Sequence, residues 1–106
     1  MIIYIDIDET ICKYDSVRDY SLAKPIPDRI QKINFLFDQG NTIVYWTARG
    51  STTGVDWSEL TAGQLNDWGA KYHELKLKKP PYDLFICDKA INTETFFNQQ
   101  GLTNEL

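Results

Sequence analysis

Asp6 and Asp8 follow directly on the apolar run Ile2-Ile3-Tyr4-Ile5, within the segment Asp6-Ile7-Asp8-Glu9-Thr10. Paired carboxylates at the end of a core strand repel one another and resist desolvation. A compensating charge is needed beside them, and a divalent cation is the usual one. Other polar positions occupy comparable places: Thr47 and Ala48 follow Thr42-Ile43-Val44-Tyr45-Trp46, Asp88 follows Leu84-Phe85-Ile86-Cys87, and Lys78-Lys79 precede Pro80-Pro81. Hard oxygen donors without a His or Cys cluster point to magnesium rather than zinc, with Asp88 as a third oxygen ligand. A threonine hydroxyl with adjacent backbone N–H groups, such as that of Ala48, can hold phosphate oxygens. A lysine can neutralise both a phosphate and a carboxylate nucleophile. These parts describe phosphoryl transfer, which depends mainly on positioning and charge neutralisation.

The elements that must position these groups read as an alternation of strands and helices. Ile2–Ile5 is apolar at every position, the pattern of a strand buried on both faces of a parallel sheet. Residues Lys13 to Lys24 are polar and read as a surface excursion. Pro25-Ile26-Pro27-Asp28 opens a helix carrying Ile30, Ile33, Leu36 and Phe37 at helical spacing, and Gly40 stands where a C-terminal cap belongs. Thr42–Trp46 is a second buried strand. A short helix through Leu60, Leu65 and Trp68 starts at Asp56, Ser58 or Thr61 and is closed by Gly69. Tyr72–Leu77 is a weaker strand, and Pro80-Pro81 forbids helix. Leu84–Cys87 is expected as a further core strand. A last helix contains Phe96 and Phe97, is capped by Asn92 or Thr93, and ends at Gly101. This order is that of a parallel α/β sheet, in which ligands bind beyond the carboxyl ends of the strands. Asp6, Asp8, Thr47 and Asp88 are therefore expected on one edge.

Asp6-Ile7-Asp8-Glu9-Thr10 resembles the DxDxT signature of the haloacid dehalogenase superfamily of phosphatases and phosphotransferases. The threonine, lysine and final aspartate follow in the same order along nearly the whole chain. The resemblance implies a three-layer, Rossmann-like parallel sheet with helices on both faces, spanning residues 1–106 as a single catalytic core without a cap domain. It implies a phosphatase in which Asp6 takes the phosphoryl group as an aspartyl-phosphate. Asp8 would protonate the leaving oxygen and then deprotonate the hydrolytic water. Magnesium (Mg2+) would be held by the Asp6 carboxylate, the Asp8 backbone carbonyl and the Asp88 carboxylate. Thr47 and Ala48 would bind the phosphate with Lys79, and Lys78 is the alternative clamp. Cys87 stands where members commonly hold another acid, which weakens the implied metal site. The chain also looks, more weakly, like small proteins near the capsular-polysaccharide phosphatases.

Composition sets the frame for partners. Fifteen acidic against eleven basic residues give a net charge of -4, which disfavours a nucleic-acid backbone. A small phosphorylated substrate, with a sugar phosphate among the candidates, fits better. No apolar stretch approaches the length of a membrane span, so no membrane partner is expected and the expected location is the cytoplasm. A capless site leaves room for a partner subunit acting as a lid in a homo-oligomer. Competing readings are a phosphotransferase of the same superfamily, a weakly active phosphate-binding protein, and a receiver-like module. The order acid pair, Thr, Lys, Asp disfavours the last. Arg49 is expected either to touch substrate or to pair with Asp56 or Glu59. His73, the sole histidine, is expected to be structural.

Overall fold

In the computed structural model, residues 1–99 are described. Strands β1 (Ile2–Ile5), β4 (Thr42–Trp46) and β5 (Glu74–Lys76) form a three-stranded sheet in the order β1-β4-β5, parallel throughout. A two-residue hairpin, β2 (Cys12–Lys13) with β3 (Lys24–Pro25), and a 3₁₀ turn at Tyr20–Leu22 occupy the segment read as a surface excursion. Helix α1 spans Pro27–Asp38, α2 spans Ser58–Asp67 and α3 spans Thr93–Asn98.

Local chemistry accounts for the helix ends. Pro27 stands at the first position of α1, where its missing N–H costs nothing, and Asp28 complements the helix dipole. Gly40, at φ +96°, turns the chain after α1 in a conformation that side chains avoid. Asp56 accepts from the Ser58 backbone N–H at 2.9 Å ahead of α2, and Asn92 accepts from Glu94 and Thr95 at the start of α3. Gly101, expected to end the last helix, lies outside the described residues.

The core gathers Ile5, Ile7 and Ile11 with Ile30, Ile33 and Leu36 of α1. Ile43 and Tyr45 of β4, Leu65 of α2 and the Phe96–Phe97 pair of α3 complete it. Full burial of each aliphatic side chain contributes about 1.5–3 kcal/mol, so α1 is held mainly by its apolar stripe. His73 is structural, as expected: its Nδ1 accepts from the Ile43 backbone N–H at 3.1 Å, and its ring stacks on Phe37.

Two expectations require correction. Leu84–Cys87 is not a strand among the described residues. Leu84, Phe85 and Ile86 are exposed by 75%, 55% and 88%, and Phe85 packs against Tyr82 within the same segment. Nor is β1 buried on both faces, because Ile2 and Tyr4 are exposed and only Ile5 is fully buried. Both departures share one cause. An apolar run specifies a strand only if a partner strand takes up its backbone groups, and among the described residues β1 has a neighbour on its β4 side alone. Neither the sheet edge nor the segment therefore gains the burial its composition permits.

This arrangement predicts opposite costs for two isoleucine substitutions. Ile86→Ser is expected to change stability by less than about 0.5 kcal/mol in chemical denaturation, as at an exposed site. Ile43→Ala, in the middle of β4, is expected to cost about 2–5 kcal/mol. A cost of that size at Ile86 would place the segment in the core after all.

Candidate functional site

The parallel register levels the strand ends. Ile5 lies beside Tyr45, and Tyr45 beside Leu75, so Asp6, Thr47 and the residues after β5 leave the sheet on the same edge. Beyond β5, Lys78 adopts a left-handed backbone, φ +59°. The chain then folds back along the β4 end: Thr47 donates its N–H to Lys76 O at 2.9 Å, and Lys79 donates its N–H to Thr47 O at 3.0 Å. The Lys79 ammonium reaches to 3.9 Å from the Asp6 carboxylate, whereas Lys78 is exposed. Sequence spacing left these two lysines unseparated; the turn at Lys78 selects Lys79.

Asp6 is half-exposed and accepts from the Ile7 backbone N–H at 2.9 Å. Partial burial raises its carboxyl above the ordinary value, and the opposing effects of Lys79 and the Ile7 N–H do not cancel this. Asp8, two residues on, is buried and differently held. The Arg49 guanidinium grips both of its oxygens, Nε to Oδ2 at 3.1 Å and Nη2 to Oδ1 at 2.8 Å. The Tyr14 hydroxyl and the Cys12 thiol also donate to Oδ1. Burial alone would raise the Asp8 carboxyl, but the Arg49 and Tyr14 hydrogen bonds and the guanidinium charge outweigh it and hold Asp8 below its ordinary value. The same surroundings push the Cys12 thiol up to about 12, burial being the main cause, so it stays protonated.

Thr47 is buried, and its Oγ1 accepts the Arg49 backbone N–H at 3.2 Å, fastening the loop after β4. Ala48 is exposed at the mouth of that loop, and its N–H has no partner among the described residues. Gly50, at φ +81°, makes the following turn. A Cβ there would stand 2.3 Å from Val55 O, so only glycine fits. The Ser51 hydroxyl donates to Lys79 O at 2.7 Å and ties the loop to the lysine segment.

The structure thus brings Asp6, Asp8, Thr47, Ala48 and Lys79 to one edge and leaves Asp88 out. Asp88 lies in an exposed turn after the unpaired segment, its carboxylate contacted among the described residues by the Cys87 thiol at 3.9 Å. Among the described residues no three His, Cys, Asp or Glu side chains gather as metal ligands. The side chains that the resemblance assigned to magnesium, the carboxylates of Asp6 and Asp88, therefore do not gather with a third such side chain into a metal site among the described residues. The Asp8 carboxylate is committed to Arg49, whereas the group assigned to the metal was the Asp8 backbone carbonyl. Sequence reasoning missed that commitment, expecting Arg49 to touch substrate or to pair with Asp56 or Glu59. The available signal was slight: one arginine two residues beyond the threonine, in a segment otherwise free of basic side chains.

The two carboxylates should leave opposite marks on stability. A depressed carboxyl stabilises above the unfolded value of 3.8, and that stability is lost as pH falls through the folded value. A raised carboxyl does the reverse, costing stability once pH rises past 3.8. At neutral pH Asp6→Asn is expected to raise the melting temperature. Asp8→Asn is expected to lower it, with a loss of stability on the order of 3 kcal/mol, because the Arg49 charge is left buried without its counter-charge. In thermal melts the Asp6→Asn difference should fade as pH falls toward 3.8, and the Asp8→Asn difference as pH falls below it. A destabilised Asp6→Asn would contradict the desolvation of that carboxylate.

No family model matches the chain, and no curated protein matches it. Among solved structures it is similar to the crystal structure of an MCSG target protein from Vibrio cholerae. The TM-score is 0.83 at 22% identity, over 98% of this chain and 93% of that one. That likeness establishes a shared α/β fold.

Proposed function

We propose that the protein is a phosphatase that transfers a phosphoryl group from a phosphate monoester to the Asp6 carboxylate and then to water. The observation that carries this reading is the pairing of a half-exposed carboxylate with the Lys79 ammonium, 3.9 Å away, at the end of parallel strands. A nucleophile that must accept a dianionic phosphoryl group has to be accessible and must face a cation, and Asp6 meets both requirements. Lys79 offsets the charge on the incoming phosphate. The Ala48 N–H and the Thr47 hydroxyl stand at the adjacent loop as donors to its oxygens.

In this reading Asp8 takes the base half of the cycle, receiving a proton from the water that attacks the aspartyl-phosphate. Its four donors favour the ionised form, which is the form that accepts a proton. The acid half requires Asp8 to carry that proton while a leaving oxygen is nearby. The three-layer, haloacid dehalogenase-like arrangement with helices on both faces belongs to the same proposal. It is supported by the parallel sheet and by the order of the motifs. Magnesium is a component to be tested.

The test is hydrolysis of 4-nitrophenyl phosphate, measured with and without magnesium. Parent protein is expected to turn over. Asp6→Asn is expected to lose at least about 10³-fold in kcat, and Lys79→Met about 10- to 100-fold. Acid-quenched parent protein should carry phosphate on Asp6, detectable by mass. Undiminished hydrolysis by Asp6→Asn would remove the nucleophile assignment.

A further inference from the structure

The side chain of Arg49 is fully buried, yet every face of its guanidinium is occupied by a different part of the chain. Nε and Nη2 hold Asp8 from the end of β1, and Nη2 also lies 3.4 Å from the Tyr14 hydroxyl. Nη1 donates to Thr61 Oγ1 at 3.1 Å and to Gln64 Oε1 at 2.6 Å, both on α2. The flat of the guanidinium lies 4.7 Å from the Tyr20 ring centroid, and the Gln64 amide in turn donates to Tyr20 O at 2.6 Å.

A buried ion pair of this kind is a poor device for stability, since desolvating both charges consumes most of what their attraction returns. Apolar residues of similar volume often do as well. What the pair supplies is direction. Arg49 presents two parallel N–H groups to one carboxylate, which fixes the plane of Asp8 as a single charge on a flexible stem does not. The far side of the same guanidinium is fixed by α2, so the helix sets the arginine and the arginine sets the acid. Arg49 has no hydrogen bond or ion pair with Asp6 or Lys79, so its influence on the chemistry has to pass through Asp8.

From this geometry, and resting on the reading of the site as a phosphatase, we propose that Arg49 is the positioning residue of the reaction. Anchored by Thr61 and Gln64, it orients the Asp8 carboxylate for proton transfer. A misplacement of about 1 Å in such a group is enough to cost about 100-fold in rate.

The experiment is a double-mutant cycle between Arg49 and Asp8, read as kcat and KM on 2,4-dinitrophenyl phosphate. The leaving group of this substrate departs as a stable anion, so Asp8→Asn keeps a measurable rate. Arg49→Lys retains the charge and loses the fork. It is expected to lower kcat about 10- to 100-fold with KM within about threefold. In the Asp8→Asn background the same change should alter kcat by less than about threefold, because the group it positions is gone. Gln64→Leu removes only the outer anchor; its cycle is expected to show about a three- to tenfold loss that also vanishes with Asp8→Asn, and it decides the matter if Arg49→Lys does not fold. Equal losses in both backgrounds would overturn the proposal and make Arg49 a purely structural residue. A raised KM with unchanged kcat would overturn it too, placing Arg49 on the substrate. A parent protein inactive on both aryl phosphates would overturn the phosphatase reading itself, and this proposal with it.

Discussion

The buried pair of Asp8 and Arg49 is the interaction around which the site is organised. A carboxylate 8% exposed and a guanidinium with no exposed surface exist as ions only because each completes the other and every remaining donor has a partner. Through that pair the end of β1, the loop after β4, helix α2 and the first excursion meet at one place. Tyr14 and Tyr20, in a largely exposed segment, are drawn in by the same two groups, one to the acid and one to the base. Removing either charge would leave the other stranded in a low-dielectric interior, so the four segments depend on one another.

Against that pair, Asp6 stands out by contrast. Two aspartates separated by a single residue experience opposite environments. Asp8 is surrounded by donors and held below its ordinary carboxyl value, whereas Asp6 is partly desolvated with a lysine at 3.9 Å and held above it. Divergent surroundings of neighbouring carboxylates are how one site separates a group that receives from a group that moves protons. In the proposed reaction the half-exposed Asp6 is the acid that meets substrate, and the buried Asp8 is the acid held in a fixed orientation.

The free side of β1 shows the other consequence of the fold. Among the described residues the sheet stops there, with Ile2 and Tyr4 exposed, and the apolar residues 84–86 are exposed as well. Asp88 follows that segment in an exposed turn.

The local features of this chain were legible in its sequence because short-range rules produce them. The proline and acid that open α1, Gly40 that ends it, Asn92 that caps α3, and the strand character of Thr42–Trp46 each depend on residues within a turn or two. The order of acid pair, threonine and lysine marked the edge where Asp6, Thr47 and Lys79 meet, since parallel strands of adjacent register must end together. Only tertiary structure decided which lysine faces Asp6, because that followed from one left-handed residue at Lys78. It alone showed that Arg49 crosses 41 positions to Asp8 rather than reaching its near neighbours Asp56 or Glu59. It also kept Leu84–Cys87 out of the sheet, since an apolar run carries the propensity for a strand but not the partner that strand pairing requires.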